Sequence, residues 1–130
     1  MISIKQTVFD ALINHARADA PIEACGYLAG ADGIATVQIP MTNIDASPEH
    51  FSLDPKEQFS AVRQIRSQGL KLMATYHSHP ASPARLSAED IRLAFDPDMS
   101  YVIVSLLNSV AIKSFTVKAG VVTEEEMFIV

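Results

Sequence analysis

Residues 70–90 read LKLMATYHSHPASPARLSAED, which joins a strand pattern to a proline-rich loop and a helix start. Side chains two apart on a strand share a face, so the alternation predicts a strand with His77 and His79 side by side. The even-numbered residues from Leu70 to Tyr76 are expected on the opposite face. Ser87 begins a short predicted helix that Pro97 stops, and Asp90 stands on its first turn. The stretch therefore brings two imidazoles and one carboxylate to neighbouring elements.

Two histidines and an aspartate supply three of the ligands of an open catalytic zinc site, in which water takes the fourth position. Glu23 lies upstream in the apolar run PIEACG, residues 21–26, and is a candidate general base for metal-assisted hydrolysis. The same residues also have explanations that involve neither a metal nor catalysis. A His-x-His pair also occurs on polar strand faces, an isolated Glu is usually solvated, and Ser87 is a good helix N-cap. Because Asp is shorter than the usual Glu or Gln of a capping box, Asp90 is expected to stay free to face a metal.

The remaining patterns predict helices and hairpins around this stretch. A first helix is expected over 5–18, a hairpin over 25–31 and 34–40, and a helix capped by Asp54 with Phe59, Val62 and Ile65 on its buried side. A second hairpin is expected over 101–107 and 110–118, with a last edge strand over 127–130. Strands outnumber helices and the hairpins are local, which indicates an α+β fold with helices packed on a mixed sheet.

The composition and net charge of the chain argue against several classes of function. A chain of 130 residues that is 48% hydrophobic and 19% charged predicts one globular domain over residues 1–130. The net charge of −5, with scattered basic residues, argues against a nucleic-acid partner. No apolar run is long enough for a membrane partner, and the single cysteine, Cys25, excludes an internal disulfide, so a cytoplasmic location is expected. Cys25, His15 and His50 are predicted to lie outside the site. The oligomeric state stays open.

The combined pattern of Glu23 followed by His77-x-His79-x₇-Ser87-x₂-Asp90 resembles the JAMM signature of the JAB1/MPN/Mov34 metalloprotease family. The stretches EACGYLAG (23–30), FSLDP (51–55) and HSHP (77–80) are also similar to those of short bacterial members. The resemblance covers nearly the whole chain.

This resemblance implies a cytidine-deaminase-like MPN/JAMM core, an α/β sandwich around one zinc ion per chain held by His77, His79 and Asp90. It also implies that Glu23 takes a proton from water activated by the zinc, and that Ser87 helps to stabilise the oxyanion. The implied substrate is the C-terminal tail of a ubiquitin-like sulfur-carrier protein that ends in Gly-Gly. A tail of this kind is expected to add as a strand beside the site, with Arg85 as a candidate contact to an acidic group of the substrate.

Three other functions fit the sequence less well. A catalytically silent MPN-type scaffold that binds protein partners usually lacks part of the signature, whereas this chain has all five positions. A zinc-dependent deaminase needs a Pro-Cys-x-x-Cys segment that a chain with one cysteine cannot supply. A purely structural zinc requires four protein ligands, and the pattern provides three.

Overall fold

The computed structural model describes all 130 residues and contains eight strands and three helices. The elements, in chain order, are β1 (Ile2–Ile4), α1 (Gln6–Asp19), β2 (Cys25–Ala31), β3 (Ile34–Met41), α2 (Pro55–Ser67), β4 (Lys71–His79), α3 (Ala88–Arg92), β5 (Ser100–Ser105), β6 (Ala111–Lys118), β7 (Val121–Glu125) and β8 (Met127–Ile129). No helix is both long and apolar enough to cross a membrane.

All eight strands belong to one mixed sheet, in the order β7-β6-β5-β4-β2-β3-β1-β8. The pairs β4–β5, β1–β3 and β1–β8 are parallel, and the other pairs are antiparallel. The edge strands β7 and β8 are separated in sequence by Glu126 alone, so the sheet must curve until its two edges approach each other. β4, which carries both histidines, lies in the interior of the sheet between β2 and β5.

The predicted hairpins form because their turns suit the sequence. Asp32 and Gly33 join β2 to β3 with φ values of 56° and 77°, the left-handed conformations that a tight two-residue hairpin turn requires. The second predicted hairpin is formed by β5 and β6. The sequence patterns did not predict β1 or β7, which are short and lie at or near the sheet edges.

Each face of the sheet is covered by one long helix. α1 buries Val8, Leu12 and Ala16 in a core cluster that includes Ala74 and Tyr76 of β4. α2 packs on the other face, where its buried residues Ala61 and Ile65 join Tyr27, Ala29 and Met41.

The predicted alternation along β4 is wrong in its first half. A bulge lies where Leu28 pairs with Ala74 and Ala29 pairs with Leu72, so Met73 is an extra residue. Leu72 consequently packs on the α2 face, whereas Ala74 and Tyr76 pack on the α1 face. The alternation resumes beyond the bulge, and His77 and His79 share a face as predicted.

The predicted buried side of α2 is also wrong for Phe59, which is 67% exposed. Asp54 caps this helix as expected, since its carboxylate accepts a hydrogen bond from the Lys56 amide at 2.9 Å. Glu57 does not complete a capping box and instead accepts from the Thr42 amide at 2.9 Å.

Candidate metal centre

The two histidines at the end of β4 are buried and face each other. Their Nε2 atoms are 3.1 Å apart, and the side chains of His77 and His79 are only 5% and 6% exposed. The parallel connection from β4 through α3 to β5 crosses the carboxyl end of β4 and places α3 above the histidines. The first turn of α3 carries Asp90, whose Oδ2 lies 3.2 Å from His77 Nε2 and 3.3 Å from His79 Nε2.

Asp90 has two roles at once. The Ser87 amide donates to Asp90 Oδ2 at 2.9 Å, and the Asp90 amide donates to Ser87 Oγ at 3.0 Å, which together form a complete capping box. The short Asp side chain therefore completes the box and also faces the imidazoles, as expected for a residue free to point at a metal. Capping orients the carboxylate, and the same Oδ2 atom faces both imidazoles.

Hydrogen bonding outside the cluster fixes which ring nitrogen of His79 points inward as an acceptor. Its Nδ1 donates to the carbonyl of Pro83 at 2.9 Å, so the neutral ring presents the lone pair of Nε2 to the centre. The lone pair of His79 Nε2 and the Asp90 carboxylate then face the centre beside His77 Nε2, an arrangement that a cation relieves. Metal bonds of about 2.0 to 2.1 Å in a tetrahedral site separate the ligand atoms by about 3.3 Å. The observed separations of 3.1 to 3.3 Å thus fit three corners of such a site.

Two of the three pKa shifts at the centre, those of Asp90 and His79, favour positive charge there. Burial acts to raise the pKa of Asp90, but hydrogen bonds with His77 and His79 outweigh it and hold this pKa well below its usual range. Burial also opposes protonation of His79, yet its bonds with Asp90 and the Pro83 carbonyl raise its pKa. Burial lowers the pKa of the deeper His77. The Asp90 carboxylate therefore stays ionised.

Glu23 lies between α1 and β2 as a buried acid with an unpaired oxygen. The residue is 3% exposed, and its Oε1 has no hydrogen-bond partner. Burial raises its pKa to about 7, and the charges of His79 and Asp90 act on it in opposite directions. A buried carboxyl group that titrates near neutrality beside the cluster is suited to exchange protons there.

Two polar residues that sequence reasoning missed hold Glu23 beside β4. Ser78, between the histidines, accepts the Ala24 amide at its Oγ (2.7 Å) and donates its own amide to the Ala24 carbonyl (2.9 Å). Asn43 is buried and donates to the carbonyls of Glu23 and His50 at 3.1 and 3.0 Å. Neither role has a local sequence signal, because the partners lie far away along the chain.

An aromatic side chain in the 42–54 loop positions His77. The ring of Phe51 stacks on the imidazole with centroids 4.5 Å apart and planes inclined by 28°. The only sequence feature that pointed to Phe51 was its place in the FSLDP stretch, which is similar to that of short bacterial family members.

Ser87 and Arg85 are both exposed. Ser87 Oγ is an acceptor in the capping box and keeps its own proton free to donate. Arg85 lies on the loop between the ligands and forms no ion pair.

Cys25, His15 and His50 are not part of the cluster of His77, His79 and Asp90. Cys25 is fully buried, and burial raises its pKa to about 12. His15 bonds with Tyr76 and Asp19, and His50 bonds with Asp45 on the surface loop.

A cavity of about 430 Å³ opens beside His77 and Asp90. Its walls are mainly apolar and come from the 42–54 loop, α2, α3 and the segment before β5. The side chains that line it include Leu53, Leu86, Leu93, Phe95 and Tyr101. A ligand in this cavity lies against two of the three clustered side chains.

The sequence matches a known family along most of its length. Residues 5–118 match the profile of the family described as prokaryotic homologs of the JAB domain. The CysO-cysteine peptidase of Mycobacterium tuberculosis is 37% identical over 134 residues, which cover 100% of this chain and 92% of that protein. A desampylase of Haloferax volcanii is 37% identical over 111 residues, which cover 80% of each chain.

Solved structures share the fold. A Desulfitobacterium hafniense protein matches with a TM-score of 0.91 and 46% identity, over 100% of this chain and 93% of its own. A JAB1/MPN domain protein from Archaeoglobus fulgidus matches with a TM-score of 0.69 and 23% identity, over 99% and 97% of the two chains. The predicted fold, a mixed sheet flanked by helices of the JAB/MPN type, is confirmed.

Proposed function

The chain belongs to the family of prokaryotic homologs of the JAB domain and is a hydrolase of the JAMM metallopeptidase type, and from that premise we propose how it works. It binds one zinc ion and hydrolyses a peptide or amide bond at the C-terminal tail of a ubiquitin-like sulfur-carrier protein. Residues 1–130 form the single domain that does this, in the cytoplasm.

The observation that carries the proposal is the convergence of His77 Nε2, His79 Nε2 and Asp90 Oδ2 within 3.1 to 3.3 Å of one another. Two imidazoles and one carboxylate are a common ligand set of catalytic zinc. When bound there, zinc supplies Lewis acidity, which activates water near neutral pH and polarises a carbonyl group.

The chain's own residues move the proton and stabilise charge. Glu23 accepts a proton at the unpaired Oε1 and returns it to the leaving amine, for which a pKa near 7 is well matched. Ser87 uses the free proton of its hydroxyl to stabilise the developing oxyanion.

The relatives suggest the substrate. One is named for CysO-cysteine and another is named a desampylase, and both match most of this chain. A Gly-Gly tail suits the cavity beside the ligands because glycine lacks a β-carbon and lets the backbone approach closely. The expected addition of the tail to a strand edge does not fit, since β4 is already paired on both sides. The tail instead lies in the cavity, with Arg85 as a candidate contact to an acidic group of the substrate.

Mass spectrometry of a ubiquitin-like carrier ending in Gly-Gly-x tests this function. The zinc-loaded enzyme should release the terminal residue, whereas Glu23→Gln should bind zinc and leave the carrier intact, because it loses a proton acceptor and no ligand. Intact carriers together with rapid cleavage of unrelated peptides would overturn the substrate class. Cleavage by Glu23→Gln at the wild-type rate would overturn the role of Glu23.

A further inference from the structure

The solvent face of α2 carries an unusual group of side chains, Lys56, Phe59, Arg63 and Arg66. At 100° per residue these four positions fall within about 80° of the helix circumference. The face points away from Ala61 and Ile65, which are buried against the sheet. All four side chains are exposed. We refer to them as the α2 basic face.

Of the three cations of the α2 basic face, only Arg66 serves the fold, since it lies in the last turn of the helix near the negative end of the dipole. The ion pairs of the protein involve neither Lys56 nor Arg63 nor Arg66. Arg63 instead lies over the ring of Phe59, with its guanidinium carbon 5.8 Å from the centroid. Phe59 is 67% exposed, so it contributes little to the core. Ion pairing and core packing therefore do not explain this cluster.

The charge of the α2 basic face differs in sign from the net charge of the protein. The chain has a net charge of −5, so its general field repels an acidic partner while this face attracts one locally. An exposed aromatic residue flanked by arginines has the composition of an interface centre.

The helix that carries the α2 basic face also reaches the cavity at the metal centre. Gln58, at the end of the first turn of α2, lines the cavity together with Leu53 just before the helix, whereas no residue of the α2 basic face lines it. Phe59 follows Gln58 and lies about 100° further around the helix. A partner whose tail occupies the cavity therefore brings its folded body close to α2.

We propose that the α2 basic face docks the acidic folded body of the ubiquitin-like carrier while the carrier's tail enters the cavity. The inference rests on the proposed function and adds a second recognition element to it. Phe59 supplies the apolar contact, and Lys56, Arg63 and Arg66 supply orientation and a faster encounter.

The test compares a whole carrier with its tail alone. The probes are a ubiquitin-like carrier with an acidic folded body ending in Gly-Gly-Cys, and a synthetic peptide of its last residues. The double variant Arg63→Glu, Arg66→Glu should lower kcat/KM for the whole carrier at least about tenfold, mainly through KM, and leave the peptide reaction unchanged. Phe59→Ala should show the same split. The matched control Arg17→Glu, Lys118→Glu changes the same charge at exposed, unpaired positions elsewhere and should act like wild type.

Each other outcome overturns the inference. Equal losses on carrier and peptide would mean that the helix positions the catalytic residues. An unchanged reaction of the double variant with the carrier would remove the docking role and leave the proposed function intact. A change in sedimentation of the free enzyme would assign the face to contacts between copies of this chain. If wild type cleaves neither probe, the proposed function fails and the docking role fails with it.

Discussion

At the scale of single residues, Glu23 is a carboxylic acid that folding withdraws from water without giving Oε1 a donor. In the metal-free protein its pKa rises from 4.5 to about 7, because burial penalises the charged form. The pKa of Glu23 is higher in the folded state than in the unfolded state, so its contribution to the free energy of unfolding is fully present below pH 4.5. This contribution is lost as the pH rises through 7.

We therefore expect metal-free wild type to lose roughly 3 kcal/mol between these pH values relative to Glu23→Gln, which cannot ionise. Urea unfolding of both proteins across pH 4.5 to 8 measures this difference, because all other titrations are common to the pair. Parallel stability profiles would show that Glu23 titrates normally.

Ser87 combines a cap and a candidate oxyanion donor in one hydroxyl. Ser87→Ala should lose roughly 0.5 to 2 kcal/mol of stability through the cap and about a hundredfold in single-turnover rate. Ser87→Asp is the matched control, since Asp caps as well as Ser but its ionised carboxylate has no proton to donate. We expect Ser87→Asp to restore the melting temperature and not the rate. A stable, fully active Ser87→Asp would leave Ser87 with the capping role alone.

At the scale of elements, the sequence predicted the features that depend only on neighbouring residues. The Asp54-Pro55 start of α2 and the Asp32-Gly33 turn formed as expected, because capping and turn geometry depend on neighbouring residues. The bulge at Met73 had no such signal, since it arises from how β4 pairs with β2. The prediction that Phe59 is buried was wrong because its spacing from Val62 indicates a helix but not which side of that helix packs on the sheet.

The candidate site divides in the same way. His77, His79 and Asp90 were candidates because they fall on a strand and a capped helix start and because the pattern resembles a family signature, and the structure brings the three side chains together. Ser78, Asn43 and Phe51 were not identifiable, because their roles depend on segments that only tertiary structure brings together.

At the scale of the whole molecule, the sheet order explains why the parts meet. β2 and β4 are neighbours in the sheet interior, with Cys25 opposite His77, so Glu23 just before β2 comes near the histidines. The β4–α3–β5 crossover then carries Asp90 across the end of β4. Three separate chain segments therefore converge at one carboxyl end, where α/β folds commonly place their sites.

Elemental analysis of zinc in the purified protein tests the central claim, that His77, His79 and Asp90 form the metal centre. Wild type should contain about one zinc per chain, because three converging ligands make an open tetrahedral site. The double variant His77→Ala, Asp90→Ala should contain none, and His50→Ala, which removes an exposed imidazole outside the cluster, should keep a full equivalent. Stoichiometric zinc in the double variant would contradict the account.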